Sequence, residues 1–187
     1  SVILRPNLAP VHAPQITLMA AVALVESVGA FIAQKATIKW PNDILVNGKK
    51  LAGILTEAVC VPERVEYVIL GIGVNYPTDR MPKELRQRAT SLLDLTRIEV
   101  NRESFLRRLI QDLDRCYGDL EQSGFEPLAP RWEAHFGLRG QRVRIELLEH
   151  VIVGRARGIA LDGALLVQGD DGTLQKVIAG DVIPLET

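Results

Sequence analysis

The stretch TIKWPNDILVNGKKLAGILTE, Thr37 to Glu57, decides the fold. It predicts a short strand over Thr37 to Trp40, a turn led by Pro41 with Asn42 and Asp43, a strand over Ile44 to Val46, a tight Asn47-Gly48 turn, and a long strand from Leu51 onward. Asn-Gly between β-prone runs marks a hairpin, because both central residues of a type I′ turn take positive φ. Pro41 has a fixed φ and no N–H, which predicts that Asn42 and Asp43 sit in the turn and not in a ladder. The long strand is expected to run to Val61 and return after Pro62-Glu63-Arg64 as a strand over Val65 to Val74, so this sheet should be largely antiparallel.

Three lysines punctuate the stretch: Lys39, Lys49 and Lys50. They read either as solvated edge-strand charges or as cations facing a ligand. The second reading draws on Lys50, which leads into the apolar run Leu51-Ala52-Gly53-Ile54-Leu55, where Gly53 leaves bare backbone open to close approach. The returning strand ends in Gly71-Ile72-Gly73-Val74-Asn75. As a dinucleotide fingerprint this is poor, since the third glycine is missing and Pro77 follows where a helix should start. Glycines at a close strand crossing, or glycines under a flat ligand, both remain open.

Working outward, Gln15 to Gln34 carries apolar residues at helical spacing with a wide apolar face, so a mostly buried helix is expected, with Met19 as core filler. Residues 77 to 101 are polar and read as a loop with one short helix around Lys83 to Gln87. Asn101 caps a helix expected over Arg102 to Glu121, whose stripe is Phe105, Leu109, Leu113, Cys116, Tyr117 and Leu120, with Arg107, Arg108, Asp112, Asp114 and Arg115 on a solvated face. A short helix with Trp132 is expected between Pro127 and Phe136. From Gly137 the pattern changes to alternation and turns: Gln141 to Leu147, Val151 to Ala160, Ala164 to Gln168 and Leu174 to Ile178, split by Asp162-Gly163 and Asp170-Asp171-Gly172. About five short strands in about 50 residues predict a small barrel, so the chain divides into residues 1–136 and 137–187.

The composition is that of an ordinary globular protein: 187 residues, 47% hydrophobic, 24% charged. A net charge of −1 gives no electrostatic footprint for nucleic acid or anionic membrane. Cys60 and Cys116 lack metal or redox spacing and read as reduced core thiols, and His12, His135 and His150 are scattered. The longest apolar run, broken by Glu26 and Gly29, falls short of the ~20 residues of a bilayer span, so a cytoplasmic protein with no membrane or nucleic-acid contact is expected.

KWPND, then KKLAGIL after a hairpin, then GIGVN resembles the catalytic domain of biotin protein ligase, the biotin–[acetyl-CoA-carboxylase] ligase family, over Leu4 to about Leu185. The resemblance implies an α+β fold, a mixed, largely antiparallel sheet with packed helices as in class II synthetases and lipoate ligases, followed by an SH3-like barrel. It implies that Lys50 is catalytic, lying against biotin and its acyl phosphate, and that Gly53, Gly71 and Gly73 form the biotin wall. Lys39, Asn42, Asp43 and Asn75 would lie on the nucleotide side. It implies ATP and Mg²⁺ with biotin as substrate, a biotin carboxyl carrier protein as partner, and a possible homodimer. Asp43 either holds Mg²⁺ or caps its turn. The barrel either orders nucleotide and carrier or acts as a rigid cap, and Thr90-Ser91-Leu92 matches a family element with no role evident. The family's GRGxxGR loop precedes the strand that ends in LRP. Here the sequence starts at that strand, Val2 to Pro6, so an N-terminally incomplete catalytic domain is expected. The alternatives are a lipoate or octanoate ligase or transferase, and an inactive fragment or binding module.

Overall fold

The computed structural model describes residues 1–77, 82–147 and 150–185; the expected 77–101 loop therefore lies partly outside the described residues. Five strands, β1 (Val2–Leu4), β2 (Ala36–Lys39), β3 (Asp43–Val46), β4 (Lys49–Val61) and β5 (Arg64–Val74), form one sheet in the order β1-β5-β4-β3-β2. Every neighbouring pair is antiparallel, and the parallel pairings among the described residues are two isolated bridges, Ile38–Phe136 and Lys50–Ala89. Asn47 (φ 51°) and Gly48 (φ 74°) make the type I′ reversal that their identity dictates. Asp43 departs from expectation. It is the first residue of β3, paired with Lys39 on one side and Gly53 on the other, so the turn before it consists of Trp40 to Asn42.

Helix α1 (Pro14–Gly29) packs across this sheet and buries residues on all sides, Met19 among them. It ends at Gly29, short of the expected Gln34. A helix that is apolar all round has no polar stripe whose end marks the last turn, and the chain closes off through Ala30 and Phe31 amides bonded to the Ser27 and Val28 carbonyls. Contrary to the sequence expectation, Pro10–Gly29 is long and apolar enough to cross a membrane by length and composition, though 67% of its most apolar window is buried inside the fold.

Short helices α2 (Lys83–Arg86) and α3 (Leu92–Thr96) lead to α4 (Arg102–Ser123), capped by Asn101 as predicted. Helix α4 lies on α1, and its expected solvated face is corrected at Asp112. That carboxylate is 1% exposed, held by Arg108 at 2.6 Å, Arg115 at 2.9 Å and the Ser27 hydroxyl at 2.8 Å. A carboxylate can be buried because three donors replace its hydration. Cys116 is buried as expected, but Cys60 is exposed near the end of the β4–β5 hairpin.

Helix α5 (Ala129–Ala134), with Trp132 fully buried, connects to a second five-stranded antiparallel sheet. Its strands are β6 (Arg142–Glu146), β7 (Val151–Ile159), β8 (Leu165–Gln168), β9 (Leu174–Val177) and β10 (Asp181–Pro184), in the order β10-β6-β7-β8-β9. Alternate residues Val143, Ile145, Ala156, Leu165, Val167, Val177 and Val182 fill the interior of this SH3-like barrel. The pattern reading did not delimit β10, which is four residues long and carries Pro184.

Candidate functional site

The site grows from an irregularity in the β3–β4 ladder. Asp43 pairs with Gly53 and Ile44 with Ala52, but Leu45 pairs with Lys50, so Leu51 is an extra residue. A bulge of this kind reverses which face the preceding side chain takes. Leu51 and Ala52 are both buried against the core, and Lys50 emerges on the opposite face with Gly53. Its ammonium meets Asp43 Oδ1 at 2.6 Å, and a Cβ placed on Gly53 would lie 3.1 Å from both Lys50 Cε and Nζ. The lysine side chain thus runs close over the Gly53 backbone, and a side chain there would push its end away by a few tenths of an ångström.

The face continues along the sheet. Gly73 stands opposite Gly53, and Gly71 opposite Leu55, which is 65% exposed. A Cβ on Gly71 or Gly73 would have ordinary clearance, 3.5 Å or more, so the fold itself does not demand glycine there. What the pair produces is a strip of bare backbone beside a half-exposed ammonium, a surface for a flat molecule with an anionic end.

The main chain of Lys50 is fixed from below. Its N–H donates to the Arg88 carbonyl (2.8 Å), and its own carbonyl accepts from the Thr90 amide and from Asn75 Nδ2, each at 3.0 Å. Asn75 Nδ2 also donates to Thr90 O, so this side chain braces the lysine segment, with its amide hydrogens turned to protein carbonyls. Thr90-Ser91-Leu92 thereby acquires a role: Thr90 locks Lys50, and Ser91 caps α3 in a reciprocal box with Asp94.

Asn42 and Lys39 belong to a neighbouring region at the barrel. Asn42 O accepts from Ile54 N (2.9 Å) and Asn42 Nδ2 donates to Ile54 O (2.7 Å), continuing the β3–β4 ladder by one side chain. Lys39 Nζ pairs with Asp181 Oδ1 of β10 at 3.1 Å. Trp40 and Asn42 line a cleft of about 380 Å³, with Thr17, Leu55 and Thr56 on one wall and Gly163 and Ile178–Gly180 of the barrel on the other. The structure thus gathers Lys50, Asp43, Gly53, Gly71 and Gly73 on one strip with Asn75 beneath it. Asp181 and the barrel wall are additions that carry no local sequence signal, and Thr90, part of an element noted in the sequence without a role, joins them by its bond to Lys50.

A resident divalent cation does not fit these residues. Asp43 Oδ1 is taken up by the Lys50 ammonium, and among the described residues no three His, Cys, Asp or Glu side chains converge.

Two family models match: the Biotin/lipoate A/B protein ligase family over residues 1–75, and the Biotin protein ligase C terminal domain over residues 139–183. The chain is 33% identical to the Biotin--[acetyl-CoA-carboxylase] ligase of Paracoccus denitrificans, across 97% of this chain and 78% of that one. The chain belongs to the biotin protein ligase family. It is 37% identical to the Bifunctional ligase/repressor BirA of Bacillus subtilis, over 97% of its own length but 56% of that relative's, so it spans about half of such relatives. The biotin protein ligase of Aquifex aeolicus solved in complex with biotin and ATP superposes with a TM-score of 0.80 at 23% identity, over 97% of this chain and 76% of that one, a likeness of fold. Within the family fold, the glycine strip and the bulge lysine occupy the first sheet, and the barrel corresponds to the C-terminal domain.

Proposed function

We propose that this chain carries the catalytic machinery of an ATP-dependent ligase that activates biotin to biotinyl-5′-AMP and passes it to a lysine of a biotin carboxyl carrier protein. The observation that carries the reading is the Lys50 ammonium, aimed by the bulge onto the Gly53–Gly73 strip. In the first step a carboxylate oxygen of biotin attacks the α-phosphorus of ATP, the bond from that phosphorus to the bridging oxygen breaks, and pyrophosphate leaves. Two anions must approach, so a fixed cation beside both lowers the barrier without itself changing protonation. Lys50 serves there, with Asp43 orienting it, and Gly71 and Gly73 accept the biotin ring against the backbone. In the second step the carrier lysine amine attacks the acyl carbon, AMP departs, and the amine's proton is lost to solvent. Lys39 and Asn42, at the barrel cleft, lie on the nucleotide side, and Asn75 contributes by holding Lys50. Divalent metal enters as the ATP complex, as substrate.

The biotin reading is preferred to lipoate because the barrel, matched to a biotin ligase C-terminal domain, accompanies the catalytic sheet. The test is a parallel transfer assay with ATP and Mg²⁺, pairing biotin with a biotin carboxyl carrier domain and lipoate with a lipoyl domain, read as the mass of the carrier. A biotin adduct alone is expected; a lipoyl adduct alone overturns the assignment.

A further inference from the structure

Three consecutive residues of α5 point to three different parts of the molecule, as residues about 100° apart on a helix must. Arg131 reaches back to the helical layer, with Glu26 at 2.8 Å, Asp119 at 2.9 Å and the Cys116 sulfur at 3.1 Å. Trp132 is wholly buried. Glu133 reaches forward into the barrel, where Oε1 accepts the Ile159 amide at 2.8 Å and Oε2 pairs with Arg139. Gly158, at φ 151°, lies directly under that carboxylate, and a Cβ there would overlap Oε1. The barrel's backbone is therefore shaped to admit this one side chain.

The end of β7 that Glu133 grips leads into the turn that meets the catalytic sheet. Leu161 O accepts from Gln15 Nε2 (2.8 Å) and Gly163 O from Trp40 Nε1 (3.1 Å), while Gly163 itself walls the 380 Å³ cleft. The same barrel places Asp181 on Lys39. A barrel free to rock about α5 would move both the cleft wall and the partner of Lys39.

We propose that Glu133 is a positioning residue, which sets the barrel against the sheet and so orients the nucleotide side of the site through Lys39 and the cleft wall. This rests on the ligase reading for its functional half; its conformational half stands apart from it. The experiment compares the chain with Glu133→Ala, which removes the acceptor, and Glu133→Gln, which retains a carbonyl oxygen for the Ile159 amide. Exchange of the Ile159 amide is expected to quicken about tenfold or more in E133A and to stay near the parent rate in E133Q. In steady-state adenylate formation, KM for ATP should rise about tenfold in E133A with KM for biotin unchanged, and E133Q should restore it. Unchanged exchange at Ile159 overturns the positioning role. A fall in kcat alone, matching a loss of folded protein, overturns the nucleotide role. A parent chain that forms no adenylate refutes the ligase reading, while exchange at Ile159 still decides on Glu133.

Discussion

Lys50 stands on a strand whose pleat, read by alternation alone, would point it with Ala52 and Ile54 into the core. A single extra residue, Leu51, redirects it. Its ion pair with Asp43 is half exposed on the lysine side, so it contributes at most about 1 kcal/mol to stability. Charge at the reacting phosphate is worth far more. Lys50→Ala should lower adenylate formation by about 10²- to 10³-fold, while shifting the unfolding midpoint in urea only slightly; pyrophosphate release and a urea titration on the same sample check both halves, and activity equal to the parent's removes Lys50 from the chemistry. At this scale the sequence was informative because the pieces are local: KKLAG and GIG lie on β4 and β5, consecutive strands joined by the turn after Val61, which sets Gly53 opposite Gly73. The bulge was not legible, since Leu51 looks like any strand residue. Nor was the bracing of the Lys50 segment by Asn75, because Thr90 arrives from outside the hairpins.

Among the elements, the α1–α4 contact depends on the one charged group it buries. Burial raises the Asp112 carboxyl, but hydrogen bonds from Arg108 and Ser27 and the charges of both arginines outweigh it, holding its pKa below the ordinary carboxylate value. Glu26 follows the same direction: desolvation pushes it up, and Arg131 and Arg115 pull it further down. The folded state therefore binds fewer protons than the unfolded chain near pH 4. The stability these groups supply is complete above the unfolded carboxyl range and drains away as pH falls through the lowered native values. Asp112→Asn should cost about 2 kcal/mol at pH 7, the scale of charge-assisted hydrogen bonds lost to half-exposed arginines, and flatten the acid limb of stability against pH, both measurable by urea melts at a series of pH values. An equally steep acid limb in the variant would place that dependence elsewhere. The sequence located α4 by an apolar spacing repeated over several turns and α1 by a long, nearly all-apolar stretch. It put Asp112 on the solvated face because a charge with three partners is indistinguishable, along the chain, from one with none. The short α2 and α5 were anticipated with nearly correct bounds, whereas β10 was not delimited.

Across the whole molecule, sheet and barrel meet through polar contacts set among buried side chains. Trp40 is 2% exposed, and its indole N–H finds Gly163 O across the boundary. Trp40→Phe keeps the ring and deletes the donor, at a cost of about 1–2 kcal/mol, equivalent to a fall in Tm of a few degrees for a chain of this size. Calorimetry should show a single transition displaced downward; an unchanged Tm would mean that water replaces the indole at no cost. These pairings join residues more than a hundred positions apart, and neither partner advertises the other. The sequence marked two successive β patterns, which form two sheets in that order, but the manner of their joining is a property of the assembled surfaces.

The bulge also makes the site a question of parity. From Ala52 to Leu55 alternate positions of β4 face the core and the open side, and Leu51 is where the count changes. Deleting that one residue would leave composition, hairpins and KKAGIL spelling almost intact, yet it would either turn the ammonium inward or roll the following apolar side chains outward. Substitutions at Leu51 can drift among apolar residues of similar volume; its length in the chain cannot. For anyone tracing or redesigning such strands, spacing here is a stricter inheritance than identity.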